Sequence, residues 1–148
     1  MSEIIEKAKK YVEQSKIGFL LTVDENNIPF VRPIGAFAQE GLDIYFLTRR
    51  ETEKVKHIEI NPIATVYFRN ENQDFEKFRS ESISGEIFEL TKENEIKEAI
   101  EKISVRYPKV KELVDSGEFH KYLIFVVKAK LLKSADYVLE PKETVINL

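Results

Sequence analysis

Residues 18–54 read GFLLTVDENNIPFVRPIGAFAQEGLDIYFLTRRETEK and contain three β-rich runs separated by short polar turns. The first run, 18–23, ends at residues 24–27, whose Asp and Asn side chains favour turns by bonding nearby backbone groups. The second run spans 28–37, and a turn containing Gly leads into the third, 42–48. Short turns between such runs are typical of hairpins. This stretch therefore predicts three strands in antiparallel succession.

Two prolines mark the second of these strands. Pro29 and Pro33 each lack the backbone amide that a central strand donates to its neighbour. The strand is therefore predicted to run along a sheet edge or to carry a bulge there. The backbone groups beside the prolines are then free to meet a ligand.

The rest of the chain switches between helical and strand periodicity. A helix is predicted over 3–15 with Ser2 as its candidate N-cap, and a short helix over 51–60 begins directly after the third strand. The short helix stops before Pro62, because the residue preceding a proline avoids the α conformation. The later elements are strands over 63–69 and 78–90, a helical pair over 91–106 and 108–117, a strand over 122–132, and extended residues 134–148.

These elements predict a mainly β, α+β protein in a single domain, residues 1–148. Six mainly antiparallel strands with short hairpins are too many for a flat sheet of this size. They close most economically into a small barrel with helices over its open ends. Gly85, within the long fifth strand, indicates a bulge or a close backbone approach.

Composition excludes several classes of protein. The chain has 148 residues, of which 43% are hydrophobic and 33% charged, a globular balance without the long uncharged run of a membrane span. The net charge of -3 provides no field that attracts polyanions, which argues against a nucleic-acid partner. There is no Cys and there are only two His, so we expect no metal site. The first residues lack the pattern of a secretory signal, so a cytoplasmic location is expected.

Two clusters of cations and hydroxyls are candidates for ligand binding. Arg32 stands in an otherwise apolar strand, and Thr48, Arg49, Thr52 and Lys54 surround the start of the short helix. Helix N-termini present free amides and partial positive charge, so this turn is suited to phosphate. Taken alone, Arg32 is most simply an exposed side chain of an edge strand, and the turn a solvated, Thr-capped helix start. Together they can face one ligand that carries a phosphate and a planar polar ring.

The order of these residues resembles that of the pyridoxamine 5'-phosphate oxidase-like superfamily, the FMN-binding split barrels. The resemblance is continuous from about residue 18 to 68 and looser as far as 137. It rests on Pro29-x-x-Arg32-Pro33, Phe46-x-Thr48, Thr52-x-Lys54, Ile58 and Asn61-Pro62.

The resemblance implies a six-stranded antiparallel split β-barrel that forms a homodimer with FMN at the subunit interface. By position, Arg32 would approach the flavin, and the backbone around Pro33 and Ile34 would meet its ring edge. Thr48, Thr52 and Lys54 would hold the phosphate, with Arg49 beside them. The implied activity is that of a flavin-dependent oxidoreductase acting on a small molecule, such as a nitro compound or another electrophile.

Departures from the family pattern narrow the choice among the branches of the family. True pyridoxamine phosphate oxidases resemble one another in a Lys where this chain has Phe37, and in a C-terminal Arg-x-His, whereas residues 134–148 contain neither Arg nor His. Vitamin B6 oxidation is therefore not expected. The general stress protein and nitroimidazole-reductase-like branch is similar in size, although its nitroimidazole members commonly place a His where Leu47 and Thr48 stand.

Alternatives remain at this point. If the chain is not such an enzyme, it is a non-catalytic flavin-binding or storage protein, a split barrel that carries haem or deazaflavin, or a small barrel that binds oligonucleotides. The excess of acidic residues disfavours the last of these. His57 and His120 are interpreted as a packing or surface residue and a loop residue. With no Trp in the chain, an aromatic wall against a flavin would come from Phe or Tyr, with Tyr67, Phe68 and Tyr137 as candidates.

Overall fold

The computed structural model describes residues 1–148, which form four α-helices and eight β-strands. The longest helix has 14 residues, and none of the four has the length and apolarity of a membrane span. The helices are α1 (Ser2–Gln14), α2 (Glu53–Ile60), α3 (Glu93–Arg106) and α4 (Lys109–Asp115). The strands are β1 (Gly18–Val23), β2 (Pro29–Ile34), β3 (Phe37–Glu40), β4 (Asp43–Arg49), β5 (Ile63–Arg69), β6 (Arg79–Glu89), β7 (Tyr122–Asp136) and β8 (Glu143–Asn147).

All strand pairs are antiparallel, and the sheet curls into a half-barrel. The order is β2-β1-β5-β6-β7-β4-β3, with β8 added to β7. The predicted mainly β split barrel is confirmed, and the strand count rises from six to eight. The run predicted as one strand over 28–37 is two, because β2 pairs with β1 while β3 pairs with β4 at the other edge of the sheet. The second addition is β8, within the segment expected to be merely extended.

The β1–β2 hairpin has the expected chemistry. The Asp24 carboxylate accepts hydrogen bonds from the backbone amides of Asn26, at 2.8 Å, and Ile28, at 2.9 Å. Asn27 has a φ of 63°, in the left-handed region that turns require. The hairpin delivers β2 as an edge strand, which is where its two prolines are tolerated.

The core lies inside the curled sheet. A cluster of 21 buried residues, with Phe37, Phe46 and Phe68 among its largest members, fills the barrel and is closed by Ala8 and Val12 of α1. A second cluster of seven buried residues lies on the other face of β3, β4 and β7, beneath α3 and α4. The helical pair therefore covers an outer face of the sheet rather than an open end of the barrel.

The predicted N-cap of α1 is wrong. Ser2 lies inside the helix, and Met1 occupies the cap position without a side-chain bond. At the other end, the Arg106 guanidinium donates to the carbonyls of Ser15 and Glu13, where unpaired helical carbonyls need donors. This contact ties α3 to α1.

Gly85 marks the bulge that its position predicts. The β6–β7 register shifts between Ser84 and Gly85. A Cβ at Gly85 would lie 1.7 Å from the backbone oxygen of Lys128, so no larger residue fits without moving β7. The close backbone approach is confirmed, and the bulge lies opposite Gly85, where Lys130 is the extra residue of β7.

Candidate functional site

Strands β2 and β4 and the start of α2 bring three of the predicted residues together. Strand alternation turns Arg32 to the inner side of β2, where it is half-buried. Thr48 is buried at the end of β4, and Lys54 lies in the first turn of α2. The Lys54 ammonium donates a hydrogen bond of 2.8 Å to the Thr48 hydroxyl.

The two cations of this cluster have no anionic partner in the chain. Neither Arg32 nor Lys54 takes part in any of its ion pairs. Burial, and then the positive charge of Arg32, lower the pKa of Lys54. Burial also lowers the pKa of Arg32, against the opposing effect of the Glu53 carboxylate. Two partly desolvated like charges repel each other, and an anion placed between them relieves both costs.

The start of α2 adds uncapped amides to this positive region. Thr52 occupies the N-cap in an extended conformation, but its side chain does not cap the helix, and its hydroxyl donates instead to the Arg49 carbonyl at 3.2 Å. Thr48 lies four residues before this N-cap and does not cap the helix, and its hydroxyl accepts from Lys54. The first amides of α2 are therefore free of side-chain acceptors.

The other predicted residues lie around this cluster in different ways. Ile34 is buried in the core, and Pro33 faces outward from β2 and is exposed. Arg49 is exposed on the opposite side of β4 from Thr48, with its guanidinium 5.6 Å from the centre of the Tyr122 ring. The structure does not bring the Arg49 side chain to Arg32 and Lys54.

Two residues of the site were not predicted. Thr22 on β1 is fully buried and accepts a hydrogen bond of 2.6 Å from Nη1 of Arg32. The same hydroxyl lies 3.0 Å from Nδ1 of His57, which is only 5% exposed, so of the two interpretations of His57 packing is confirmed and a surface position is wrong. The available signals were a hydroxyl on an otherwise apolar inner face of β1 and an imidazole between the inward-facing Val55 and Ile58 of α2.

A cleft of about 870 Å³ opens on the neighbouring side of α2. Its wall is rich in carboxylates, which disfavour a phosphate. Thr52 and His57 also line it, but Arg32 and Lys54 do not. The acidic residues along this wall are Asp24, Glu25, Glu51, Glu53 and Glu59. The region suited to an anion is therefore the cation cluster and not this cleft.

The aromatic candidates are dispersed. Phe68 is fully buried in the barrel core and is unavailable to a ligand. Tyr67 is half-buried on β5 opposite Phe19. Tyr137 packs against Phe75, with ring centres 5.4 Å apart. No aromatic wall forms from these three residues in a single chain.

Comparison with protein families shows to which family the chain belongs. Residues 4–134 match the family model described as pyridoxamine 5'-phosphate oxidase. The chain belongs to the pyridoxamine 5'-phosphate oxidase family. The match begins in α1 and extends through most of β7, so it includes every residue of the candidate site.

Solved structures share the fold of this family member. A haem-binding protein from Mycobacterium smegmatis superposes with a TM-score of 0.82 at 12% identity, over 97% of this chain and 57% of that one. HutZ, the haem storage protein from Vibrio cholerae, gives 0.70 at 16% identity, over 84% and 88%. A Clostridium acetobutylicum protein related to general stress protein 26 of B. subtilis gives 0.75 at 18% identity, over 100% and 96%.

These likenesses show the split-barrel fold of the family. The chain spans little more than half the length of the mycobacterial protein. Among curated proteins, no sequence matches this chain.

Proposed function

We propose that this family member is a single-domain FMN-binding flavoprotein. The observation that carries the proposal is the pair of half-buried, unpaired cations, Arg32 and Lys54, beside the uncapped start of α2. A phosphate monoester carries nearly two negative charges and gains charge-assisted hydrogen bonds from Lys54 and the free helix amides, while Arg32 supplies positive charge to the ring of the same cofactor. The residues of the chain therefore fit the phosphate of FMN.

Each site residue has a part in holding the cofactor. Lys54, Thr48 and Thr52 bind the phosphate at the start of α2. Arg32 would contact the flavin ring from the inner side of β2, and the backbone around Pro33 and Ile34 would lie along the edge of the ring. Bound FMN supplies hydride or electron transfer. Arg32 provides positive charge where a reduced flavin becomes negative, while Ile34 and the neighbouring core limit access of water.

We further propose that two copies of the chain form a homodimer with the flavin at their interface. The outer face of β1, β2 and β5 carries exposed apolar side chains, with Val31 61% and Ile63 58% exposed, beside the polar Thr65 and Arg69. The strand register sets Val31 directly opposite Leu21, and Leu21 opposite Thr65 on β5, so these residues share one face. Exposed apolar side chains grouped on one sheet face are typical of a protein interface. The same contact would supply the aromatic or apolar wall that one chain lacks.

The proposed activity is reduction of a small electrophilic molecule, such as a nitro compound, by the bound flavin. The departures at Phe37 and in residues 134–148 argue against a vitamin B6 substrate. A flavin-binding protein without turnover is the neighbouring alternative. Consumption of a reduced nicotinamide that depends on the acceptor separates the two.

Haem is the second candidate ligand, because two of the structural neighbours are a haem-binding protein and a haem storage protein. The chain offers one exposed imidazole for an iron atom. Nδ1 of His120 lies 2.8 Å from the Gly117 carbonyl, to which it donates, so Nε2 of the neutral ring is free to coordinate. Haem binding at His120 would not depend on Lys54.

An absorption spectrum of the purified protein tests these proposals, recorded before and after addition of FMN and removal of the unbound fraction. Flavin bands at a ratio near one per subunit are expected. A Soret band that disappears in a His120→Ala variant would identify the ligand as haem instead of flavin. Absence of any bound flavin at high added FMN would contradict the proposed function.

A further inference from the structure

One buried hydroxyl links the strand that carries Arg32 to the helix that carries Lys54. Thr22 has no exposed surface, and its oxygen lies 2.6 Å from Nη1 of Arg32 and 3.0 Å from Nδ1 of His57. His57 lies on α2 three residues beyond Lys54, and its ring contacts Phe30 of β2 at a centroid distance of 5.0 Å. The bridge therefore joins β1, β2 and α2 at the site.

The direction of each hydrogen bond follows from the donor inventory. A guanidinium only donates, so Thr22 accepts from Arg32. The single hydroxyl proton of Thr22 then points to Nδ1 of His57, which accepts it, and the proton of the neutral ring is on Nε2. That nitrogen faces the Glu53 carboxylate at 3.9 Å. With the opposite tautomer the buried Thr22 proton would have no acceptor, which is costly in an apolar setting.

We propose that Thr22 and His57 are positioning residues that hold the Arg32 guanidinium toward the flavin. This inference rests on the proposed FMN site. Arg32 needs such an anchor because the nearby positive charge of Lys54 repels it. An arginine that is already ordered loses less conformational entropy when the cofactor binds. Since His57 and Lys54 share α2, the same bridge sets the distance between the two cations.

The first test removes the hydroxyl without changing the shape of the side chain. Thr22→Val is expected to weaken FMN binding about tenfold, the loss typical of a hydrogen bond to a charged group, as measured by flavin fluorescence titration. Thr22→Ser, which keeps the hydroxyl, is expected to bind FMN as the wild type does. The midpoint potential of the bound flavin should become more negative in Thr22→Val, since positive charge near the reduced ring is displaced.

A double-mutant cycle separates positioning from general stability. In an Arg32→Ala background, Thr22→Val should change FMN affinity by less than about twofold, because the group that Thr22 positions is gone. The same tenfold loss in both backgrounds would mean that Thr22 acts independently of Arg32 and would overturn the proposal.

The role of His57 is tested with a conservative replacement. His57→Asn places an amide oxygen near the position of Nδ1 and should keep most of the affinity, whereas His57→Phe removes the acceptor and should weaken binding. His120→Phe, at the exposed histidine, is the matched control and should bind FMN normally. Equal affinities for the Asn and Phe variants would remove His57 from the bridge.

A measurement without flavin keeps this inference distinct from the proposed function. In side-chain ¹H–¹⁵N spectra, the hydrogen-bonded Arg32 guanidinium should give resolved signals in the flavin-free wild type, identified by their loss in Arg32→Lys. Thr22→Val should broaden them, and unchanged signals would overturn the anchoring. A wild type that retains the signals but binds no FMN would overturn the proposed function, and with it the role toward flavin.

Discussion

Arg32 shows how a single residue changes meaning between sequence and structure. In the sequence it stands between two prolines on an edge strand, where an exposed arginine is the simplest interpretation. In the structure it points inward, donates to a fully buried hydroxyl, and shares its surroundings with Lys54. The difference arises because a strand has two faces, and only the register with β1 decides which of them is inner.

At the residue scale, Lys54 is expected to select the phosphate. Lys54→Met should weaken FMN binding by about 2 kcal/mol, the range of a charge-assisted hydrogen bond, while riboflavin, which has no phosphate, should bind equally to both proteins. Fluorescence titration with the two flavins measures the difference. Lys56→Met, at an exposed position of the same helix, is the control. Equal losses for FMN and riboflavin would remove Lys54 from the phosphate site.

A second residue-scale prediction concerns Glu81, a residue of β6 that is not part of the cation cluster. Its carboxyl group is fully buried, and one of its oxygens has no hydrogen-bond partner. Ser134 donates to the other oxygen at 3.2 Å, and the Arg79 guanidinium is 3.9 Å away, too distant to offset burial. Burial raises the pKa of Glu81 to about 7.

The folded state therefore binds a proton at Glu81 that the unfolded chain releases near pH 4.5. The free energy of unfolding should carry a contribution from Glu81 that is constant below that pH, falls as the pH rises toward 7, and then levels off. Glu81→Gln mimics the protonated acid and should be more stable than the wild type by about 3 kcal/mol at pH 8, with little difference at pH 4.5. Urea unfolding across this pH range measures the contribution. Glu71→Gln, on an exposed loop, should reproduce the wild-type profile.

At the element scale, the register shift beside Gly85 sets how the two longest strands pair. Ser84 lies opposite Leu131 and Gly85 opposite Ala129, so Lys130 is the extra residue, and the two strands form eleven residue pairs, from Arg79–Asp136 to Glu89–Phe125. Strands β4 and β6 both pair with β7, and Thr48 of β4 lies opposite Leu123.

Gly85→Ala should destabilise the fold by about 3 kcal/mol, because the added Cβ would lie 1.7 Å from the Lys128 oxygen and a backbone neighbour cannot move cheaply. Gly35→Ala is the matched control, since no atom lies within 4 Å of its added Cβ, and its stability should change by less than about 0.5 kcal/mol. Denaturant midpoints of the two variants provide the comparison. Similar midpoints would contradict the close approach at the bulge.

At the scale of the whole molecule, the outer face of β1, β2 and β5 has exposed apolar side chains that no other part of the chain covers. Val31, Leu21 and Ile63 lie together on it, although such side chains are normally withdrawn from water. The proposed homodimer buries this face and completes the flavin site.

Val31→Glu should therefore produce a folded monomer with weakened FMN binding, because a carboxylate buried in an apolar interface is costly. Light scattering after size exclusion gives the mass, and titration gives the affinity. Val105→Glu is the control, since Val105 is 86% exposed on α3, away from this face, and should leave both unchanged. A monomeric wild type that binds FMN fully would contradict the dimer.

Most elements could be predicted because their signals are local. Strand alternation, the polar turn at 24–27, the proline after Asn61 and the glycine at 85 each act on their immediate neighbours, and the corresponding elements formed. The break between β2 and β3 was missed although Gly35 marks it, because the segment divides only when the two edges of the barrel take different partners. The Thr22–His57 contact was missed because its members are 35 residues apart.

The sequence by itself determined the succession of strands and helices, the mainly β class and the order of residues that resembles the pyridoxamine 5'-phosphate oxidase family. Only the tertiary structure decided which side chains meet. It turned Arg32 inward, left it and Lys54 without a carboxylate, and separated Arg49 from both. The physical reason is that propensity and periodicity act over a few residues, whereas burial, charge pairing and hydrogen bonding depend on distances in space that chain closure sets.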